Sequence, residues 1–270
     1  MGRTDTRKTF ASLEVSRLAT GRDAARRRRR PRSPRDFTAA PRLLTVNYTD
    51  VRRHWAERSG EYSPEYYAYY GPNEASEAVR DIVEQSLDRS ASVLELGCSS
   101  GRHLSHLREH GFDDLTGIEL NEDAIDVMAE TYPDLATAGE FHVAPIEDVV
   151  TEFDDDAFDA VYSVETLQHL HPDVDWVYDE LARITSDLLV TVENEEPSEN
   201  ATASEGGDAG DSDPAGPNGS NVSYVNGDFP LYHRDWNAIF TERGFVEIDV
   251  RSTKRDTVRA FRPASERPDR

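Results

Sequence analysis

The stretch Glu95-Leu96-Gly97-Cys98-Ser99-Ser100-Gly101 combines side chains in a way that can do chemistry. A carboxylate stands at the end of the apolar run 93–96. Small residues follow it, and Arg102-His103-Leu104 then opens an amphipathic pattern. A strand, a small-residue turn and a helix start, in that order, make a cradle. The turn lets a ligand reach the backbone, and the first N–H groups of the helix lack partners within it. Glu95 is out of place in a buried run unless it holds something. A second carboxylate, Glu119, ends the next apolar run, 115–119. His169 lies in the segment after a later run, 157–163, and an imidazole that titrates near neutrality suits proton transfer. His171, Tyr66, Tyr67 and His233 are further pocket candidates.

Two other groups read as structural. His103, His106 and His110 share one helical face at i, i+3 and i+7, which invites a metal. No carboxylate joins them except Glu109, which points elsewhere, so no metal is expected. Cys98 is the single cysteine. It excludes an internal disulfide and any cysteine-rich zinc site, and within the turn it reads as a packing residue.

These residues need elements to position them. The runs 92–96, 115–119, 141–143, 157–163 and 188–192 read as strands. Between them, 102–110 is a helix stopped by Gly111, and 122–131 is a helix with Asn121 as N-cap and Pro133 beyond its end. Residues 146–152 form a helical turn and 174–184 a helix. Upstream, 73–87 is helical, with Ala75, Val79, Ile82, Val83 and Leu87 at helical spacing. Residues 51–58 look helical inside an aromatic stretch, 47–70, that reads equally as a lid or as a packed N-terminal helix. Downstream, order returns at 222–227, 233–243 is a helix, and 245–250 and 257–261 pair as an antiparallel hairpin. Strands alternating with helices specify a parallel α/β sheet covered on both faces.

Composition bounds the setting. The chain carries 53 acidic residues against 30 basic ones, a formal net charge of −23, and its only lysines are Lys8 and Lys254. Such a surface keeps a protein soluble in a high-salt cytoplasm and points to a halophilic source. It also argues against nucleic-acid binding, since phosphates would be repelled. No apolar run reaches the roughly 18 residues that span a bilayer, and no signal peptide is visible, so a cytoplasmic protein without membrane contact is expected. Residues 1–42 reverse the charge, with 13 basic residues against four acidic ones, and read as a disordered extension outside the fold. Residues 43–262 then form one domain. Its acidic insertion at about 194–221 is expected to be disordered, and 263–270 is a polar tail.

The ends of adjacent parallel strands lie side by side. Glu119 therefore faces the turn and can accept hydrogen bonds from two ribose hydroxyls. Turn and acid together do not separate a nicotinamide dinucleotide from S-adenosylmethionine. Further features do. The turn is Glu-x-Gly-x-x-x-Gly rather than Gly-x-Gly-x-x-Gly, and an acid there suits a cationic ligand while repelling a pyrophosphate. Ala144-Pro145-Ile146-Glu147-Asp148 follows the third strand, and Ser163 to Leu170 follows the fourth.

In that order, the series resembles the class I S-adenosylmethionine-dependent methyltransferases over roughly residues 74–192, and more loosely to 262. The resemblance implies a Rossmann-like sandwich: a seven-stranded, mostly parallel sheet with an antiparallel strand from the C-terminal hairpin. It also implies where the cofactor lies. Glu95, Gly97, Ser99 and Gly101 match the first motif, with the acid near the ammonium end. Glu119 matches the ribose-binding acid. Ile146 and Glu147 fall at the adenine, Ser163 beneath the carboxypropyl arm, and His169 on the segment lining the methyl acceptor. Two departures stand out: Ser99 replaces the middle glycine, and Pro145 replaces an acid that often accepts from adenine, a task Glu147 could assume. The implied activity is methyl transfer from S-adenosylmethionine to a small-molecule acceptor, with His169 as candidate base. The alternatives are a cofactor-binding or regulatory protein without catalysis, and a nicotinamide-dependent oxidoreductase.

Overall fold

The computed structural model describes residues 48–195, 222–225 and 229–265. The expected basic extension, the acidic insertion beyond Glu195 and the tail from 266 lie outside the described residues. The strands β1 (Val93–Leu96), β2 (Leu115–Glu119), β3 (Glu140–Val143), β4 (Phe158–Val164) and β5 (Thr185–Glu193) are mutually parallel. With β8 (Phe245–Ser252) and β9 (Thr257–Pro263) they form one sheet in the order β3-β2-β1-β4-β5-β9-β8. Strand β9 is antiparallel to both neighbours, so the hairpin inserts its second strand and leaves its first at the edge. This is the expected seven-stranded, mostly parallel sheet. A short separate hairpin pairs β6 (Val222–Val225) with β7 (Phe229–Tyr232).

Each face of the sheet has its own core. Along β1, Val93 packs on one face with Val79 and Val83 of α3 (Glu74–Ser86) and Leu104 and Leu107 of α4 (Arg102–Glu109). Leu94 and Leu96 pack on the other face with Leu181 and Ile184 of α8 (Val177–Ile184) and Trp236 and Phe240 of α9 (Trp236–Thr241). A strand buried on both faces must read as an apolar run, which is why β1 was legible. The chain travels from β1 outward to β3 and returns on β1's other side with β4. That reversal opens a crevice at the C-terminal ends of β1 and β4.

Several elements differ from the expected ones. α1 spans Tyr48–Ala56, and a further helix, α2 (Pro64–Tyr70), follows it. Ser63 caps α2 by accepting from the Tyr66 N–H, with Pro64 at the first helical position. Between α5 (Asp123–Thr131) and β3, Pro133 opens α6 (Pro133–Ala138) rather than merely ending α5. Asn121 accepts from the Asp123 N–H at 3.1 Å, one residue before the cap position. The turn after β3 contains α7 (Ile146–Val149). Strand β5 starts directly after α8 and runs to Glu193, so this acid belongs to the sheet.

Candidate active site

The turn after β1 owes its shape to residues with positive φ: Gly97 at 69°, Ser99 at 48° and Gly101 at 81°. The N–H groups of Gly97 and Cys98 both donate to the Ile118 carbonyl, at 2.8 and 3.0 Å, and latch the turn to β2. A Cβ on Gly97 would sit 2.4 Å from Thr166 Oγ1. Gly97→Ala is therefore expected to destabilise the protein by about 2 kcal/mol, through the disfavoured φ and the forced shift of Thr166. The drop in thermal midpoint checks this. Ser99 carries a side chain where φ favours glycine, so the departure noted in the sequence stores some strain.

The turn forms one wall of a cleft of about 1110 Å³, its open mouth included. Glu119 stands opposite. Its Oε2 accepts from the Ser99 N–H at 2.7 Å, and its Oε1 from the N–H groups of Leu120 and Asn121 at 2.8 and 2.7 Å. Burial raises this carboxyl's pKa, and those backbone bonds pull it back. A fully buried carboxylate supports the wall from behind. Glu193, fully buried at the end of β5, accepts from the Ser163 hydroxyl at 2.5 Å. It also accepts from the N–H groups of Leu167 (3.0 Å), Gln168 (3.2 Å) and Thr166 (3.3 Å). The roof is α1, tied to α7 by the Tyr48 hydroxyl on Glu147 and by Arg52 on Asp148 at 2.9 Å. Trp55, Tyr62 and Tyr67 add aromatic surface to the cleft.

This geometry can be set beside known proteins. Residues 93–187 match the family described as a methyltransferase domain. A solved structure from Pyrococcus horikoshii superposes with a TM-score of 0.55 at 17% identity, covering 82% of this chain and 96% of that one. The Burkholderia thailandensis 1,6-didemethyltoxoflavin-N1-methyltransferase, solved with 1,6-didemethyltoxoflavin and S-adenosylhomocysteine bound, superposes with a TM-score of 0.53. It is 15% identical and covers 81% of this chain and 84% of that one. The fold is that of the class I methyltransferases. A curated relative, the Streptomyces venezuelae dTDP-3-amino-3,4,6-trideoxy-alpha-D-glucopyranose N,N-dimethyltransferase, is 32% identical over 71 residues, 26% of this chain. The match spans only 30% of that relative's length.

Within the methyltransferase fold, the expected cofactor residues divide. Gly97, Ser99, Glu119, Ile146 and Glu147 line the cleft. Ile146 opens α7, so its N–H has no acceptor within the helix. Glu95, Gly101 and Ser163 do not line it, and each has a physical reason. Glu95 points into the core beneath the turn, 1% exposed, and accepts from the Tyr162 hydroxyl at 3.0 Å. Burial raises its carboxyl well above the usual range. Gly101 is a packing glycine, since a Cβ there would meet Leu135 at 2.7 Å. Ser163 spends its hydroxyl on Glu193. Glu147 also joins α1 to α7: its Oε1 accepts from the Tyr48 hydroxyl, with Arg52 Nε at 3.6 Å.

His169 lines the cleft but is a poor base. Its Nδ1 lies 2.9 Å from the Pro230 carbonyl and so carries the proton, and its ring packs on Trp55 with centroids 4.8 Å apart. Its Nε2 faces the Gln168 amide nitrogen at 3.4 Å, and the Gln168 carbonyl oxygen is held by the Asn194 N–H at 2.7 Å. Burial pushes its pKa down to about 4. An NMR titration is expected to show this imidazole neutral from pH 5.5 upward, with no inflection near 6.5. Tyr67 and His171 line the cleft, whereas Tyr66 and His233 do not. The three-histidine face is divided among other partners: His103 bonds Ser76 at 2.7 Å, His106 faces Glu77 at 3.2 Å, and His110 bonds the His106 carbonyl at 2.7 Å. Among the described residues no group of His, Cys, Asp or Glu could hold a metal ion, and no helix is long and apolar enough to cross a membrane. Cys98 is buried, with its thiol pKa raised well above the usual value, and packs toward Gly117. Sequence reasoning missed Glu193, Arg102 and the Tyr48–Glu147 tie.

Proposed function

We propose that this chain is an S-adenosylmethionine-dependent methyltransferase acting on a small-molecule acceptor. The observation that carries the reading is Glu119, a half-buried carboxylate at the tip of β2 that accepts from the Ser99 N–H of the glycine turn. A nucleoside lying across the strand ends would place its ribose hydroxyls on that carboxylate and its adenine against the Ile146 N–H. The donor set fits: an acid for the ribose, a turn whose positive-φ residues allow close approach, and apolar walls at Ile118 and Ile146. When bound, S-adenosylmethionine supplies a methyl group already activated on a sulfonium, so the protein's task is alignment.

Helix α1 and Tyr67 of α2 border the cleft, so an acceptor enters beside Trp55 and Tyr67 rather than from a broad surface. This supports a small molecule. So does the name of the curated relative from Streptomyces venezuelae, which specifies a nucleotide sugar. The acidic chain would repel nucleic acid. His169 holds the acceptor wall by bridging to β7, and no proton passes through it in this reading. Calorimetric titration in concentrated KCl is the test. Binding of S-adenosylmethionine and S-adenosylhomocysteine without binding of NADH is expected. Binding of NADH alone would overturn the proposal.

A further inference from the structure

Arg102 opens α4, lines the cleft and is only 9% exposed. Buried arginines are ordinarily paired with an acid. Among the described residues this one forms no ion pair. Its Nε donates to His103 Nε2 at 3.1 Å, and its guanidinium lies over the Tyr67 ring at 4.6 Å. Among the described residues its terminal N–H groups make no hydrogen bond.

The guanidinium is also held from behind. His103 accepts at Nε2 and so presents its Nδ1 proton to Ser76 Oγ at 2.7 Å. The Ser76 hydroxyl in turn donates to Asn73 Oδ1 at 3.3 Å. The chain ends in the capping box of α3, a rigid anchor. Burial beside Arg102 keeps His103 neutral, so its lone pair remains available to Arg102. A stacked, pinned guanidinium that borders a cavity and has its outer N–H groups unengaged matches a carboxylate in bidentate geometry, and the positive end of α4 adds to the attraction.

We propose that Arg102 is the carboxylate-recognising residue of the cleft. The carboxylate comes from the methionyl end of the cofactor, which rests on the reading of the cleft as an S-adenosylmethionine site, or from the acceptor. Both sources share one chemistry, and the experiment separates them. Wild type, Arg102→Met and Arg102→Lys are titrated calorimetrically with S-adenosylhomocysteine and with 5′-methylthioadenosine, which keeps the nucleoside and thioether but lacks the amino acid. Benzoate is titrated into the free and the S-adenosylhomocysteine-bound protein. Arg102→Met is expected to weaken S-adenosylhomocysteine roughly ten- to a hundredfold. It should leave 5′-methylthioadenosine within about twofold, and Arg102→Lys should recover part of the loss. If Arg102→Met spares S-adenosylhomocysteine but abolishes benzoate binding to the complex, the residue assignment stands with the acceptor as source. Equal losses for both adenosine ligands, or no loss with any ligand, would overturn it. Should wild type bind neither adenosine ligand, the cofactor reading fails on its own. Arg102 is then judged by benzoate on the free protein: binding that Arg102→Met abolishes supports it, and anything else removes it.

Discussion

Replacing Glu193 with alanine is expected to cost about 4 kcal/mol of stability, read from urea unfolding. The carboxylate is fully buried and accepts from the Ser163 hydroxyl and the N–H groups of Thr166, Leu167 and Gln168. Deleting it orphans buried donors at about 1–3 kcal/mol each, partly relieved by relaxation and by entering water. Glu193→Gln keeps the volume but turns one acceptor into a donor that faces other donors, so about half the loss is expected. The effect has a pH signature. Burial raises Glu193 from 4.5 to about 7 against the pull of its hydrogen bonds. Between those values the folded state binds a proton that the unfolded chain has released. The contribution is therefore fully present below about pH 4.5 and is lost as pH rises through 7, up to about 3 kcal/mol in all. Wild type should lose this increment between about pH 4.5 and 7 while Glu193→Gln does not. Parallel stability–pH curves for the two would show that Glu193 does not titrate in this range. The loop it holds carries Thr166 and His169 into the cleft, so the same substitution should loosen that wall of the cleft.

The contrast between Glu193 and Glu119 shows what a sequence can and cannot reveal. Glu119 was legible because its position depends only on local facts: a strand ends there, and parallel neighbours share an end. The sheet and its inserted hairpin were legible for the same reason, since apolar runs of strand length alternated with helical periods. Glu193 begins the acidic run Glu193-Asn194-Glu195-Glu196, and charge alone makes its first member look solvated. Its burial is decided by turn N–H groups more than 20 residues earlier. His169 failed similarly. An imidazole's ordinary pKa suggested a base, but its environment comes from Trp55 and from Pro230, both distant in sequence. Glu95 was rightly suspected of holding something. What it holds in the fold is Tyr162 of the neighbouring strand. Helix α2 was hidden by its tyrosines, although Ser63-Pro64-Glu65 is a helix start.

Glu119→Ala should have the largest effect on ligand binding: S-adenosylhomocysteine affinity is expected to fall on the order of a hundredfold or more. Two losses combine. One is the pair of ribose hydrogen bonds to a charged acceptor. The other is the staple between the turn and the end of β2, because Ser99, Leu120 and Asn121 all donate to this carboxylate. Glu119→Gln retains one carbonyl oxygen but presents an amide donor to another donor, and about a tenfold loss is expected. The two contributions can be separated with S-adenosylhomocysteine and its 2′-deoxy form. Loss of the staple and of the 3′-hydroxyl contact weakens both ligands alike, whereas loss of the 2′-hydroxyl contact weakens only the ligand that carries that hydroxyl. Wild type should therefore discriminate between the two ligands, and Glu119→Ala should discriminate less. Equal discrimination by both proteins would mean that Glu119 shapes the turn without touching the ribose, and the nucleoside would have to lie elsewhere in the cleft.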